Sequence, residues 1–310
     1  MSQKRLILKL TPIFLLLFVF GSTFCKQSSS EFSFAFLTDI HLQPELNALE
    51  GYKKAIKTVN ELNPDFVITG GDQIMDALGV TSERAEMLYD LYIDTTKEFN
   101  MPVYNTLGNH DIFGLSVESG IDPGHPEYYK NLFQNKIGKT HYSFDRNGWH
   151  FMVLDSIGKT VDRSYFGWVD SEQMAWIAED LKNIGKDTPI VLSTHIPFIS
   201  VIRQIRVGST EANSEGWVIV NSKEVLELFQ DYNLKLVLQG HLHSLEEIKV
   251  GGITFITGGA VSANWWEGPY HGLEEGFVLI KVREDEFEWE YIDFGWEFQG
   301  AEDYRDDDSG

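Results

Sequence analysis

Apolar residues along this chain come in short runs that stop at polar residues, and the spacing inside each run separates strands from helices. Phe32-Ser33-Phe34-Ala35-Phe36-Leu37-Thr38 alternates with a period of two and is rich in aromatics, which predicts a strand. Leu49 to Leu62 puts Tyr52, Ile56 and Val59 on one face and lysines elsewhere, the layout of an amphipathic helix, and Asn63-Pro64 stops it. Phe66 to Thr69 reads as a short buried strand leaving through Gly70-Gly71, Ser82 to Asn100 as a second helix, and Met101 to Leu107 as the next strand. Strand, helix, strand, helix, strand is the opening of an α/β arrangement, in which ligands bind beyond the C-terminal ends of the strands.

The second half changes rhythm. Thr140 to Asp145 and Trp149 to Asp155 bracket Arg146-Asn147-Gly148, a β-hairpin pattern. Ser171 to Asn183 predicts a helix with Ser171 as its N-cap and Met174, Trp176, Ile177 and Leu181 as packing positions. Ile190 to Thr194 and Leu234 to Leu238 are buried strands, and Gly252 to Thr257, Gly276 to Val282 and Glu286 to Phe294 follow as strands of a second sheet. No internal repeat is present.

The residues that end these runs carry chemistry. Asp39-Ile40-His41, Gly71-Asp72, Gly108-Asn109-His110-Asp111, His195 and Gly240-His241-Leu242-His243 each follow an apolar run. Singly, each is ordinary turn or core chemistry. Together, five segments place metal-competent groups at strand ends. Asp39, His41, Asp72, Asn109, His195, His241 and His243 offer oxygen and imidazole donors without a thiolate, a set suited to two divalent or trivalent transition-metal ions, Mn, Fe, Zn, Co or Ni. That is too many for one tetrahedral ion. It suits two ions about 3.5–4 Å apart that share a carboxylate and hold a bridging hydroxide as nucleophile. Asp72, the one acidic side chain leaving its turn, is the candidate bridge. His110 is left over as a proton donor to the leaving oxygen, with Asp111 orienting its imidazole.

Composition narrows the partners. The 310 residues are 43% hydrophobic and carry 25 Lys+Arg against 47 Asp+Glu, a net charge of -22. A nucleic-acid duplex is a poor match for that field, whereas a small phosphate ester held at a metal centre is not. A single cysteine rules out an intrachain disulfide. Lys4, Arg5 and Lys9, the apolar run Ile13 to Phe20, and Gly21-Ser22-Thr23 form the layout of a secretory signal over residues 1–25, followed by a polar linker over 26–31. The expectation is therefore an exported protein whose only membrane contact is that N-terminal segment. Cys25 stands where a bacterial lipoprotein is lipidated, but Phe24 replaces the small side chain such a signal carries, so lipidation and plain export or an uncleaved anchor both stay open. Residues 32–296 form the expected catalytic domain and 297–310 an acidic tail.

In order and throughout, the five segments resemble the signature of the calcineurin-like metallophosphoesterase family, over residues 32 to 295. The resemblance implies an α+β fold of α/β type: a four-layer αββα sandwich, two mixed sheets flanked by helices, with the metal site at strand C-terminal ends. It implies that Asp39, His41, Asp72 and His243 hold one metal and Asp72, Asn109, His195 and His241 the other. Purple acid phosphatases carry a tyrosine ligand three residues after the bridging Asp, where this chain has Met75, and lack the histidine found here at His41. The blocks are more similar to the bacterial cyclic-nucleotide phosphodiesterase branch. The expected function is an exported phosphoesterase acting on a diester in preference to a monoester, against the alternative of a surface binding module that has lost turnover.

Three loops are placed to choose a substrate. Phe113 to Tyr129 is a rim or lid, in which His125 reads as a solvated residue rather than a ligand. Phe198 to Trp217 carries Arg203 and Arg206, one of which, with Arg203 as the candidate, pairs with a phosphate oxygen unless both serve surface ion pairs. Val261 to His271 holds Trp265 and Trp266, with Trp265 as a candidate stacking wall and packing beneath the loop as the alternative.

Overall fold

The computed structural model describes residues 31–298. The signal segment, nearly all of the linker and most of the acidic tail fall outside the described residues; Glu31 already opens the first strand.

Period-two alternation explains the layers. In β1 (Glu31–Leu37), Phe32, Phe34 and Phe36 point into one apolar cluster, and Ala35 and Leu37 into another. In β2 (Phe66–Thr69), Phe66 and Ile68 share the first cluster and Val67 the second. A strand that is apolar on both faces must be covered on both, so a sheet of such strands becomes an inner layer. The first cluster is the interior between two sheets. There Phe34 stacks on Phe66 at 5.0 Å, and Phe151 meets both edge-on at 5.5 and 5.3 Å.

β1, β2 and the short β3 (Val103–Asn105) run parallel, with α1 (Ala48–Leu62) and α2 (Ser82–Thr96) as crossovers. Asn63, in the left-handed conformation, closes α1 with its N–H on the Val59 carbonyl at 2.9 Å, and Thr81 caps α2. After α3 (Asn131–Lys136), β4 (Tyr142–Arg146) and β5 (Trp149–Val153) form the expected hairpin, with φ of 48° at Asn147 and 86° at Gly148. The small hairpin of β6 (Ile157–Lys159) and β7 (Tyr165–Gly167) precedes α4 (Ser171–Leu181). Asp170, not Ser171, caps α4: its Oδ1 accepts from the Gln173 N–H at 2.8 Å. β8 (Pro189–Ser193), α5 (Ile202–Arg206), α6 (Ser222–Glu227), β9 (Asn233–Gln239), β10 (Leu245–Val250), β11 (Ile253–Gly258), β12 (Gly276–Arg283) and β13 (Glu286–Asp293) complete the chain.

The sheets have the orders β13-β12-β1-β2-β3 and β10-β11-β9-β8-β5-β4; the first is antiparallel from β13 to β1 and parallel from β1 to β3, and the second has a parallel centre with antiparallel edges. The C-terminal strands therefore do not make one sheet, as their run in sequence suggests. β11 joins the second sheet beside β9, whereas β12 and β13 return to the first and pair with β1. Helices cover the outer faces, giving a four-layer α+β sandwich. No described helix is long and apolar enough to cross a membrane.

Candidate metal centre

The polar sets leave the C-terminal ends of parallel strands of both sheets. Asp39 and His41 follow β1, Asp72 follows β2, Asn109 and His110 follow β3, His195 follows β8, and His241 and His243 follow β9. Asp39, His41, Asp72, His241 and His243 all have φ between 46° and 73°. That left-handed region costs a residue with a Cβ on the order of 1–2 kcal/mol, and such strain collects at sites where side chains must be aimed. Two glycines let the segments approach: a Cβ on Gly108 would lie 2.1 Å from the Asp72 nitrogen, and one on Gly240 would lie 2.0 Å from the Thr38 hydroxyl.

Carbonyl partners settle which ring nitrogens face inward. His195 Nδ1 donates to the Gly70 carbonyl at 2.8 Å, so its Nε2 faces Asp72 Oδ2 at 3.1 Å and Asn109 Oδ1 at 3.0 Å. His243 Nδ1 donates to the Ala263 carbonyl at 2.5 Å, and its Nε2 stands 3.4 Å from Asp39 Oδ1 and 3.0 Å from His41 Nε2. His241 Nε2 donates to the Gly216 carbonyl at 2.8 Å, which leaves Nδ1 for the centre. His41 Nε2 is 3.7 Å from Asp72 Oδ2, and its Nδ1 is buried without a partner. Carboxylate, amide and imidazole atoms thus converge in a buried space. A cation relieves that arrangement, and imidazoles fixed by carbonyls behind them are typical of metal ligands. In three sets the ligand atoms lie within 4.8 Å of one another: Asp39, His41 and His243; His41, Asp72 and His110; and Asp72, His195 and His241, with Asn109 Oδ1 beside His195. This donor set could hold two transition-metal ions, and the division implied by the family resemblance leaves His110 outside it.

Ionisation agrees with ligation. Burial holds His41 well below its ordinary range and His241 down at about 4, the second helped by His195. Burial alone would raise Asp39 and Asp72, but neighbouring imidazoles, chiefly His243 and His195 respectively, hold Asp39 at about 2 and Asp72 well below the usual range. His195 stays up at about 9 because Asp72 outweighs its burial; a cation at Nε2 displaces that proton.

His110 stands at the mouth, its side chain about a quarter exposed (27%), with Nε2 4.0 Å from Asp72 Oδ2. Burial opposes its charge, but Asp72 and Asp76 raise its pKa above the ordinary value. Asp111 does not orient it. Its carboxylate is wholly buried and accepts the backbone N–H groups of Gly108 (2.8 Å), Gln73 (2.9 Å), Asp72 (3.0 Å) and Ile74 (3.4 Å), binding the loop after β2 to the loop after β3. Burial and Asp72 push the Asp111 carboxyl up to about 7, while the N–H groups of Gly108 and Gln73 pull it down. The carboxylate facing His110 is Asp76, 3.5 Å from Nδ1.

The loops also differ from expectation. The stretch from Phe113 to Tyr129 is strapped rather than free: Phe113 and Tyr129 pair, and the Arg163 guanidinium takes the carbonyls of Gly114, Leu115, Ser116 and Ile121. His125 accepts the Glu127 N–H within that loop. Arg203 lies over Trp217 and 4.0 Å from Glu211, whereas Arg206 reaches Ser244 Oγ beside His243 at 2.7 Å. Trp266 is buried packing; Trp265 lies against His243, ring centres 4.4 Å apart. Sequence reading passed over Asp76, Tyr165, 6.0 Å from the His241 ring, and Tyr270, 5.8 Å from the His243 ring. Of these only Asp76 had a signal, its place four residues after Asp72 on the same loop.

A two-sheet sandwich with a paired His/Asp centre at its parallel strand ends defines a metal-dependent hydrolase. The family model described as calcineurin-like phosphoesterase matches residues 32–245, and the chain belongs to that family, whose members hydrolyse phosphoric ester bonds at a two-metal centre. Among curated relatives, purple acid phosphatase 3 of Arabidopsis thaliana is 26% identical over 75% of this chain and 66% of its own length. A probable cyclic nucleotide phosphodiesterase of Xenorhabdus bovienii is 20% identical over 75% of this chain and 87% of its own. The 3′,5′-cyclic adenosine monophosphate phosphodiesterase of Haemophilus influenzae is 23% identical over 67% and 68%. Relatives thus fall in both branches weighed from the sequence. A dimetal phosphatase from Danio rerio shares the fold, with a TM-score of 0.57 at 14% identity over 85% of this chain and 99% of that one.

Proposed function

We propose that this phosphoesterase is exported and prefers phosphodiesters, using two ions drawn from Mn, Fe, Zn, Co and Ni. The observation that carries the reading of the site is the convergence of carboxylate and imidazole ligand atoms of Asp39, His41, Asp72, His195, His241 and His243 from both sheets in one buried space, with Asn109 Oδ1 3.0 Å from His195 Nε2. Bound there, the cations supply charge that acidifies water and neutralises phosphoryl oxygens. The chain supplies the rest. Asp72 lies between the two ligand sets, His110 stands at the mouth with its Nε2 4.0 Å from Asp72 Oδ2 as the group to give a proton to the leaving oxygen, and Asp76 faces Nδ1 behind it. The diester preference rests on Met75 and His41, which separate the motif from the purple acid pattern. The purple acid phosphatase relative favours a second reading, a monoesterase. Export rests on the basic and apolar N-terminal pattern, and the net charge of -22 favours a small ester over a nucleic-acid duplex.

Protein stripped of metal and reloaded with Mn, assayed side by side on a chromogenic monoester and diester, tests the reading. Faster metal-dependent turnover of the diester supports it, and preference for the monoester moves it to a phosphatase. His110→Ala should retain metal and lose about 100-fold in kcat, the scale of a general acid; Asp72→Ala should lose metal and activity together. Equal activity in the His110 variant removes the role given to that residue.

A further inference from the structure

Trp265 and Trp266 are adjacent in the loop after β11, both with positive φ, 51° and 73°. Their rings serve different ends. Trp266 is wholly buried, donates its indole N–H to the carbonyls of Ile40 (2.9 Å) and His41 (3.2 Å), and fills the space beside Gly51. It anchors the loop. Trp265 is only partly buried and lies against the imidazole of His243, tilted by 33°, with its ring centre 5.9 Å from that of His41. Tyr270 stands edge-on to Trp265 at 5.8 Å. The Arg206 guanidinium lies 5.2 Å over the Tyr270 ring and is held by Ser244 Oγ, with no carboxylate in ion-pair reach among the described residues. On a chain with 47 acidic and 25 basic residues, an unpaired arginine beside the centre is an unusual placement. Core packing accounts for Trp266 and leaves Trp265 unexplained, although its backbone is held in a costly conformation.

We propose that Trp265, Tyr270 and Arg206 form a subsite for a planar ring carried by the substrate, so that the preferred esters are nucleotides. The inference rests on the phosphoesterase reading and names the substrate class for the same site. With the phosphoryl group at the ligand set, a base stacks on Trp265 with Tyr270 at its edge, and a further negative oxygen meets Arg206. An alkyl ester gains nothing from that wall. A quaternary ammonium head would share it with the arginine, and like charge disfavours that occupant.

Adenosine 5′-monophosphate and ribose 5-phosphate share the pentose and the phosphate and differ at the anomeric carbon, base against hydroxyl, so their ratio reads the subsite. Each is tested as an inhibitor of chromogenic ester turnover by the Mn-loaded enzyme and by titration calorimetry with the slow His110→Ala protein. The nucleotide should bind roughly tenfold or more tightly than the sugar phosphate, the scale of one stacked base. Trp265→Leu should bring the ratio near one, Trp265→Phe should restore most of it, and Tyr270→Leu should reduce it independently should the Trp265 variants fold poorly. A wild-type ratio near one, a ratio unchanged by Trp265→Leu, or tighter binding of phosphocholine than of the nucleotide overturns the subsite. Absence of ester turnover with metal bound sinks the phosphoesterase reading instead, and the calorimetric ratio still reads the subsite by itself.

Discussion

Asp76 and Asp111 show how much turns on where one carboxylate points. They are 35 positions apart in sequence, and both lie within reach of the loop that carries His110. Adjacency favours Asp111 as the partner of His110, yet its side chain is turned inward onto four backbone N–H groups. An amide there sets N–H against N–H, so Asp111→Asn should destabilise by about 1–3 kcal/mol, the scale of a buried donor left without its acceptor; urea unfolding measures it. Asp76 is about one-third exposed and accepts the Leu78 N–H at Oδ1 (2.8 Å) and the Gly79 N–H at Oδ2 (3.4 Å); an asparagine oxygen still accepts the shorter of the two, and only the longer one is lost. Asp76→Asn should leave the urea midpoint in place and lower kcat about tenfold, the part of acid catalysis that orientation supplies. The reverse pattern in the two variants would return the positioning role to Asp111.

Helix α1 and the loop after β11 are coupled by one contact. A Cβ on Gly51 would sit 2.2 Å from the Trp266 ring, whose N–H holds the carbonyls of Ile40 and His41. Gly51→Ala therefore pushes on the segment that aims His41. Overpacking of this kind costs about 1–3 kcal/mol, and metal loading should weaken along with the melting temperature; a variant that melts lower but titrates metal as the wild type does would show that the two are separate. The elements themselves were largely legible. Both faces of the alternating strands β1 and β2 are apolar, and the Asn147-Gly148 turn declares its hairpin. β10 escaped notice because Glu246, Glu247 and Lys249 break its alternation, and α5 and α6 are too short for a helical period to emerge.

Across the molecule, the centre is a joint between sheets. Asp39, His41, Asp72 and Asn109 come from one sheet and His195, His241 and His243 from the other, and their ligand atoms face one another across the gap. Ions bound there should hold the two sheets together as well as serve the reaction. At free metal about 100-fold above Kd, linkage predicts about 2.7 kcal/mol of stabilisation. At 2–4 °C per kcal/mol for a domain of this general size, a chelator should lower the melting temperature by roughly 5–10 °C. Unchanged melting after demonstrated metal loss would mean that the sheets hold the site without help.

The sequence by itself determined which residue types end each apolar run, and therefore the candidate ligands, because a strand's period and its terminating polar residues are local properties. The four-layer arrangement came only through the family resemblance of those segments. Tertiary structure decided which distant ends meet: that β12 and β13 return to β1 while β11 joins β9, that Asp76 rather than Asp111 faces His110, and that Trp265 rather than Trp266 overlooks the histidines. It also decided which imidazole nitrogens are free, through the carbonyls of Gly70, Gly216 and Ala263. Those partners are backbone atoms, identical in every residue, so no side-chain pattern records them; only the path of the folded chain brings them behind the rings.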